Sequence, residues 1–178
     1  LINKKEMRSI CKTNREKIPR QRKEEASKHA CKFLIEYSKK FSKVLSFFSL
    51  KSEIDLKELN NFLLKERKLL LPKVEDQTIS PYHVLNNEDL LKGSFNIFEP
   101  NPLKCKKVSL NQDDLILVPG LGFDLNLNRI GYGYAHFDQF LKDKKKIKKI
   151  GIGYKEQLLT WSIPSENHDV KLNMLLLF

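Results

Sequence analysis

The chain has 178 residues, 40% of them hydrophobic and 31% charged, which fits one globular domain with a real core and argues against a disordered protein. Lys and Arg outnumber Asp and Glu by 33 to 22, a net charge of +11 that attracts polyanions. Much of that charge sits in runs such as Lys142-Asp143-Lys144-Lys145-Lys146, which read as solvated helix ends, and no aromatics interleave with the basic residues, so no nucleic-acid partner is expected. Cys11, Cys31 and Cys105 are odd in number and lack C-x-x-C spacing, which argues against a disulfide framework and a zinc site. The opening L-I-N-K-K-E lacks the apolar stretch of a signal peptide, and no segment approaches membrane-spanning length. A cytoplasmic protein with no membrane partner is the expectation.

In chain order, residues 3–18 predict a basic helix with Met7, Ile10 and Cys11 on one side, broken by Pro19. Over residues 22–41 the apolar positions Ala26, Ala30, Phe33, Leu34, Tyr37 and Phe41 recur at three- and four-residue steps, the mark of an amphipathic helix. Residues 44–48 predict a buried strand, 56–64 a helix, and 69–71 a strand ended by Pro72. Residues 75–102 are less regular and read as a short strand, a short helix over 88–92 and a loop. A strand over 114–118 feeds a glycine-rich loop, a helix follows near Asp138, and 147–154 and 172–177 predict the last strands. This alternation predicts an α/β fold with a mostly parallel sheet, in one domain over residues 1–178. Ligands of open α/β sheets gather beyond the carboxyl ends of the strands, where Phe48, Glu53, the segment after Leu71 and the stretch from Arg129 to Asp138 would share one rim.

The glycine loop carries the chemistry. Strand, glycine loop and helix in that order offer free backbone N–H groups and a positive helix end to an anion. Arg129 and Asp138 flank the loop as a phosphate-binding cation and a metal ligand. The spacing is neither a dinucleotide fingerprint, since His136 follows Gly131 and Gly133 where a third Gly would fall, nor a Walker A loop. On spacing alone, a phosphate site and a structural turn without ligand remain equal readings.

The wider segment decides between them. Val118-Pro119-Gly120, Phe123-Asp124, Arg129-Ile130-Gly131, Gly133, Asp138 and Leu141 fall in register with the pattern V-P-G-x-x-F-D-x-x-G-x-R-L-G-x-G-x-G-Y-Y-D-x-x-L, and so the chain resembles the 5-formyltetrahydrofolate cyclo-ligase family. Lys4-Lys5-Glu6-Met7-Arg8, Arg15, Phe47-Phe48-Ser49 with Glu53-Ile54-Asp55, Lys68 to Pro72, Ile97-Phe98-Glu99-Pro100, and Gln157, Pro164 and Glu166 to Val170 extend the resemblance nearly end to end.

The resemblance implies a three-layer α/β/α sandwich and an enzyme that converts 5-formyltetrahydrofolate to 5,10-methenyltetrahydrofolate with ATP and Mg²⁺, acting as a monomer on folate with or without a polyglutamate tail. It implies ATP contacts from Lys4, Arg8, Arg129, Ile130, Gly131, Tyr132, Gly133, Tyr134, Ala135, His136 and Phe137. Folate contacts fall on Phe48, Glu53 and Tyr132 to His136, with Phe95 at an aromatic position beside the pterin. Arg129 and His136 are the implied catalytic residues, and Asp138 and Asp169 the implied Mg²⁺ carboxylates. Asp138 can also be read as a carboxylate placed at a helix N-terminus for its dipole. His168 reads as structural, and His29 and His83 as ordinary histidines.

The chain departs from the family pattern at four places. Ala135 and Leu127 stand where Gly is usual, His136 replaces a Tyr, and Asn173 replaces an Asp. Ala135 matters if its position needs positive φ. The alternative reading is therefore a relative that binds nucleotide or folate through a degenerate loop without turnover.

Overall fold

The computed structural model describes residues 3–93, 97–164, 166 and 169–178. Helix α1 (Lys4–Glu16) starts at a capping box: the Asn3 side chain accepts the N–H groups of Lys5 and Glu6, and Glu6 accepts the N–H of Asn3. Helix α2 (Arg20–Ser38) begins directly after Pro19, whose fixed φ of -59° suits a helix entry. Strand β1 (Val44–Leu45), helix α3 (Lys57–Lys65) and strand β2 (Leu69–Glu75) follow. Asp76 and Gln77 both have positive φ, 47° and 64°, and turn β2 tightly into strand β3 (Thr78–His83). A hairpin of β4 (Leu90–Lys92) and β5 (Phe98–Pro100) leads to β6 (Lys106–Lys107) and the buried β7 (Leu115–Val118). A second hairpin, β8 (Gly122–Phe123) and β9 (Arg129–Ile130), precedes helix α4 (His136–Leu141) and strands β10 (Lys148–Gly153) and β11 (Met174–Leu177).

Seven strands form one sheet in the order β11-β10-β7-β1-β2-β3-β6, parallel from β11 to β2 and antiparallel beyond. Alternate residues divide its two faces. Val44, Leu69, Leu71, Leu115, Leu117, Ile150 and Ile152 pack under α2 and α3, while Leu45, Leu70, Ile116 and Val118 pack with Phe140 and Leu141 of α4 on the other side. The layered α/β expectation holds. A third, smaller cluster of Met7, Cys11, Leu121, Ile130, Leu159 and Ile163 seats α1 across the β8–β9 hairpin.

Three expectations need correction. Pro72 does not end its strand, because β2 runs on to Glu75 with Pro72 opposite Pro81. What Pro72 ends is the pairing with β1. The Ser46 N–H donates to the Leu70 carbonyl, and Pro72, two residues on and facing the same way, has no N–H to continue that ladder. Residues 88–92 form a short 3₁₀ turn over Asn87–Asp89 and then strand β4, because Leu90 to Lys92 pair with β5. Helix α4 starts at His136, two residues ahead of Asp138.

The turn between β8 and β9 is built on Asp124, which is 1% exposed. Its carboxylate accepts the N–H groups of Asn126, Asn128 and Ile163 and the Asn128 side-chain amide, at 2.8 to 3.0 Å. Those bonds hold Leu127 at φ 65°, in the left-handed region that glycine prefers. Asp124→Ala leaves three buried donors unpaired, the Asn128 N–H, the Asn128 amide and the Ile163 N–H, and is expected to destabilise the fold by about 3 kcal/mol or more. A urea-unfolding midpoint close to that of the parent would show that the turn carries no such load.

Candidate active site

The carboxyl ends of the parallel strands open onto a cavity of about 510 Å³. Its walls come from the N-terminal end of α1, residues 47–53 after β1, the β2–β3 hairpin, the β4–β5 hairpin, the glycine loop with α4, and the segment that carries Glu166 and Asp169. Lys4, Arg8, Phe48, Glu53, Asp138 and Asp169 all line it, as does every residue from Arg129 to Phe137. All the described residues singled out for the site thus meet in one place, although Lys4 and Asp169 lie at opposite ends of the sequence. Phe95 and His168 lie outside the described residues.

Two acid–cation pairs dominate the floor. Arg129 is held on β9 with a side chain only 5% exposed, and its Nη2 donates to Asp138 Oδ2 at 2.8 Å. Burial pushes the Arg129 pKa below its ordinary value, while Asp138 and Asp169 pull it back up, so both carboxylates act on this one guanidinium. Arginine stays protonated regardless. Its Nε is buried without a hydrogen-bond partner among the described residues. Lys4 contacts Asp169 at 2.7 Å and Glu166 at 2.8 Å. Burial alone would depress the Lys4 ammonium, but hydrogen bonds and charge from Asp169 and Glu166 more than offset it and raise its pKa.

The glycine loop is tied down from several directions. The Arg8 Nε donates to the Gly131 carbonyl at 3.1 Å, and the Arg8 guanidinium lies over Gly133, whose φ is 105°. A Cβ there would sit 3.4 Å from Arg8 Cζ and would strain the backbone besides. Ala135 has φ 55°, so this position does need the left-handed conformation, and the chain holds it without glycine. His136 Nδ1 lies 2.7 Å from the Gln77 carbonyl, which can only accept, so Nδ1 carries the proton. The His136 ring stacks on Tyr134 with centroids 5.7 Å apart and planes 7° apart. His136 thereby docks the loop onto the β2–β3 turn.

The cavity lining also includes several residues that carried motif signals without an assigned role. Pro72, Ile97 and Glu99 line the cavity, and Lys73 pairs with Glu99 at 3.1 Å. Val74 and Ile79 had no signal, because the β2–β3 hairpin that places them was not expected. Glu53, 9% exposed, accepts the Tyr132 hydroxyl at 2.6 Å and the Leu50 N–H at 2.8 Å. Burial and the Glu53 carboxylate push the Tyr132 phenol pKa well above its ordinary value, so it remains a donor. Arg15 joins this group from behind, on the wall of a second groove of about 1100 Å³ that adjoins the first across Tyr132 and Tyr134. Among the described residues no three His, Cys, Asp or Glu side chains form a cation cage.

A family model described as the 5-formyltetrahydrofolate cyclo-ligase family matches residues 2–177. A probable 5-formyltetrahydrofolate cyclo-ligase of Schizosaccharomyces pombe is 28% identical over 98% of this chain and 94% of its own. A mitochondrial 5-formyltetrahydrofolate cyclo-ligase of Arabidopsis thaliana is 32% identical over 73% of this chain and 57% of its own. Among solved structures, Aquifex aeolicus 5,10-methenyltetrahydrofolate synthetase superimposes with a TM-score of 0.85 at 32% identity, covering 98% of this chain and 89% of that one. With the motifs in register along the whole fold and the loop residues gathered around one cavity, the chain belongs to the 5-formyltetrahydrofolate cyclo-ligase family.

Proposed function

We propose that this protein converts 5-formyltetrahydrofolate to 5,10-methenyltetrahydrofolate with ATP and Mg²⁺, releasing ADP and phosphate. The observation that carries this reading is the convergence of Lys4, Arg8 and Arg129 with Asp138 and Asp169 around the glycine loop. A folate and a nucleotide triphosphate need a cavity of this order, cations for the phosphates and hard oxygens for the divalent ion.

The formyl oxygen attacks the γ-phosphorus, and the bond to the ADP oxygen breaks. Nitrogen 10 then closes onto the formyl carbon and loses its proton, and the formyl oxygen leaves with phosphate. The phosphoryl group needs positioning and charge neutralisation more than covalent help. Arg129 supplies a guanidinium held in place on β9, with an Nε–H to offer. Lys4 and Arg8, one helical turn apart on α1, supply cations on the facing wall. Asp138 and Asp169 would hold Mg²⁺ jointly with phosphate oxygens, which suits an ion that keeps few protein ligands and lowers the charge on the transferring group. Lys4 pairs with Asp169 and Arg129 with Asp138, so phosphates that take over these cations would release the acids to the metal.

Phe48 and Glu53 form the folate side of the cavity, with Tyr132 to His136 between the two ligands. The bond from His136 Nδ1 to Gln77 leaves its Nε2 as the ring's free acceptor, the atom available to a substrate proton. All three cysteines are free and buried, as suits a reducing compartment such as the cytoplasm. No helix among the described residues is long and apolar enough to cross a membrane.

The purified protein is expected to form the methenyl product, followed by its near-ultraviolet absorbance, only when ATP and Mg²⁺ are both present. Asp138→Ala is expected to reduce turnover at least about 100-fold, because it removes a metal oxygen and leaves Arg129 without its partner. Turnover within threefold of the parent would remove Asp138 from the reaction.

Ala135→Gly tests the alternative of a degenerate, inactive loop. It relieves a left-handed conformation worth about 1 kcal/mol and is expected to raise the melting temperature by about 2–4 °C with activity retained. If the parent is inactive and Ala135→Gly is active, the alternative is correct.

A further inference from the structure

Arg15 lies outside the reaction cavity, yet it touches the segments that build it. It is 2% exposed. Its Nη1 donates to the Gly120 carbonyl at 3.1 Å, at the end of the strand that feeds the glycine loop. Its Nη2 donates to Ser52 Oγ at 2.9 Å and to the Tyr132 hydroxyl at 2.6 Å. Tyr132 passes its own proton to Glu53 Oε1 at 2.6 Å, and Arg15 Nη1 stands 3.7 Å from that same oxygen. The guanidinium also lies 5.5 Å from the Tyr132 ring centroid. One buried cation thus connects the turn before α3, the Pro119-Gly120 corner and the glycine loop.

We propose that Arg15 is a positioning residue for folate, acting through Tyr132 and Glu53. Tyr132 and Glu53 line the reaction cavity; Arg15 does not. A tyrosine hydroxyl has one proton to give. Because the guanidinium can only donate, Tyr132 must accept from Arg15 and send its proton to Glu53. This commits Glu53 Oε1 to the Tyr132 hydroxyl. The other oxygen accepts the Leu50 N–H, which fixes the carboxylate plane and the direction of the lone pairs left for a ligand's N–H edge. Arg15 therefore sets the orientation of the recognising carboxylate without touching the ligand, and pins the glycine loop to it in the same relay. Lys4, Arg8, Arg129, Asp138 and Asp169, the residues assigned above to ATP and metal, make none of the hydrogen bonds of this relay, so loss of Arg15 falls on the folate side first.

The inference rests on the cyclo-ligase reading, and the test separates the two. Steady-state kinetics of the parent, Arg15→Met, Arg15→Lys, Tyr132→Phe and the Arg15→Met/Tyr132→Phe double variant are compared for both substrates, with thermal melts alongside. Tyr132→Phe keeps the ring and removes only the relaying hydroxyl. Arg15→Met and Tyr132→Phe are each expected to raise KM for 5-formyltetrahydrofolate about tenfold while KM for ATP stays within threefold. The double variant is expected to be no worse than the worse single one, as residues in one chain of contacts behave. Arg15→Lys, which restores a charge but not the fork, is expected to recover part of the loss.

Fold-changes that multiply in the double variant, or equal losses for ATP and folate, would overturn the relay. If Arg15→Met does not fold, Tyr132→Phe decides alone: a selective rise in folate KM supports the relay, and parent-like kinetics overturn it. An inactive parent would instead overturn the reading on which the inference rests.

Discussion

A guanidinium taken out of water costs several kcal/mol unless its donors are met. Arg15 meets most of that condition with the Gly120 carbonyl, the Ser52 hydroxyl, the Tyr132 hydroxyl and the nearby Glu53 carboxylate, drawn from three loops, while its Nε is buried without a hydrogen-bond partner among the described residues. None of those loops has regular secondary structure to hold it, and each borrows order from the helix that carries the cation. Helix α1 is suited to this because Lys4, Arg8 and Arg15 are spaced four and seven residues apart and share a face. The opposite requirement, an apolar contact to hold the helix against the β8–β9 hairpin, is met by Met7 and Cys11 packing on Leu121, Ile130, Leu159 and Ile163. The site is thus assembled from the helix inwards: apolar residues seat it, and its cations then order the loops.

That arrangement explains how the glycine loop keeps a left-handed alanine. A non-glycine residue in that region costs about 1–2 kcal/mol and persists only where its surroundings over-determine it. Ala135 is flanked by such restraints. Arg8 holds the Gly131 carbonyl, Arg15 holds the Tyr132 hydroxyl, and His136 is anchored to Gln77 on the far hairpin. Leu127 is held at positive φ by the same logic, through the four donors that converge on Asp124. Two departures from glycine therefore sit in turns cross-linked from several directions.

The sheet and its helices were legible wherever the hydrophobic period was long. The steps from Ala26 to Tyr37 and the run from Leu115 to Val118 fall in α2 and β7, where burial alone decides the conformation. The hairpins were not legible. Residues 88–92 have helical-looking composition, but Leu90 to Lys92 pair with β5, a long-range choice that local pattern does not carry. The cavity residues were legible through motif order, since Lys4 and Asp169 have no local signal of their own and meet only across 165 positions of chain. Arg15 shows the limit in the other direction. Its place in the family pattern marked it without giving it a role, and it is its 2% exposure, against Lys12 and Lys17 in solvent, that shows where it works.

The cavity itself follows from where the sheet stops being a sheet. Strands β1 and β2 pair only over Val44 to Leu45, and the ladder ends at the bond from Ser46 to Leu70 because Pro72 has no donor to extend it. Beyond that point the two chains separate. The one after β1 turns through Phe47 and Phe48 towards Glu53, and the other continues as the β2–β3 hairpin with Pro72, Val74 and Ile79 along its inner edge. The space between them is the cavity, and the glycine loop roofs it by docking His136 on the turn at Gln77. Opposed prolines at 72 and 81 keep β2 and β3 together without needing the missing donors, since β3 pairs with β2 on the side where neither proline would have given one. A proline that ends one pairing while leaving the other intact is thus enough to open a ligand-sized gap at the carboxyl edge of a sheet, in the place where helix α1 can bring its cations.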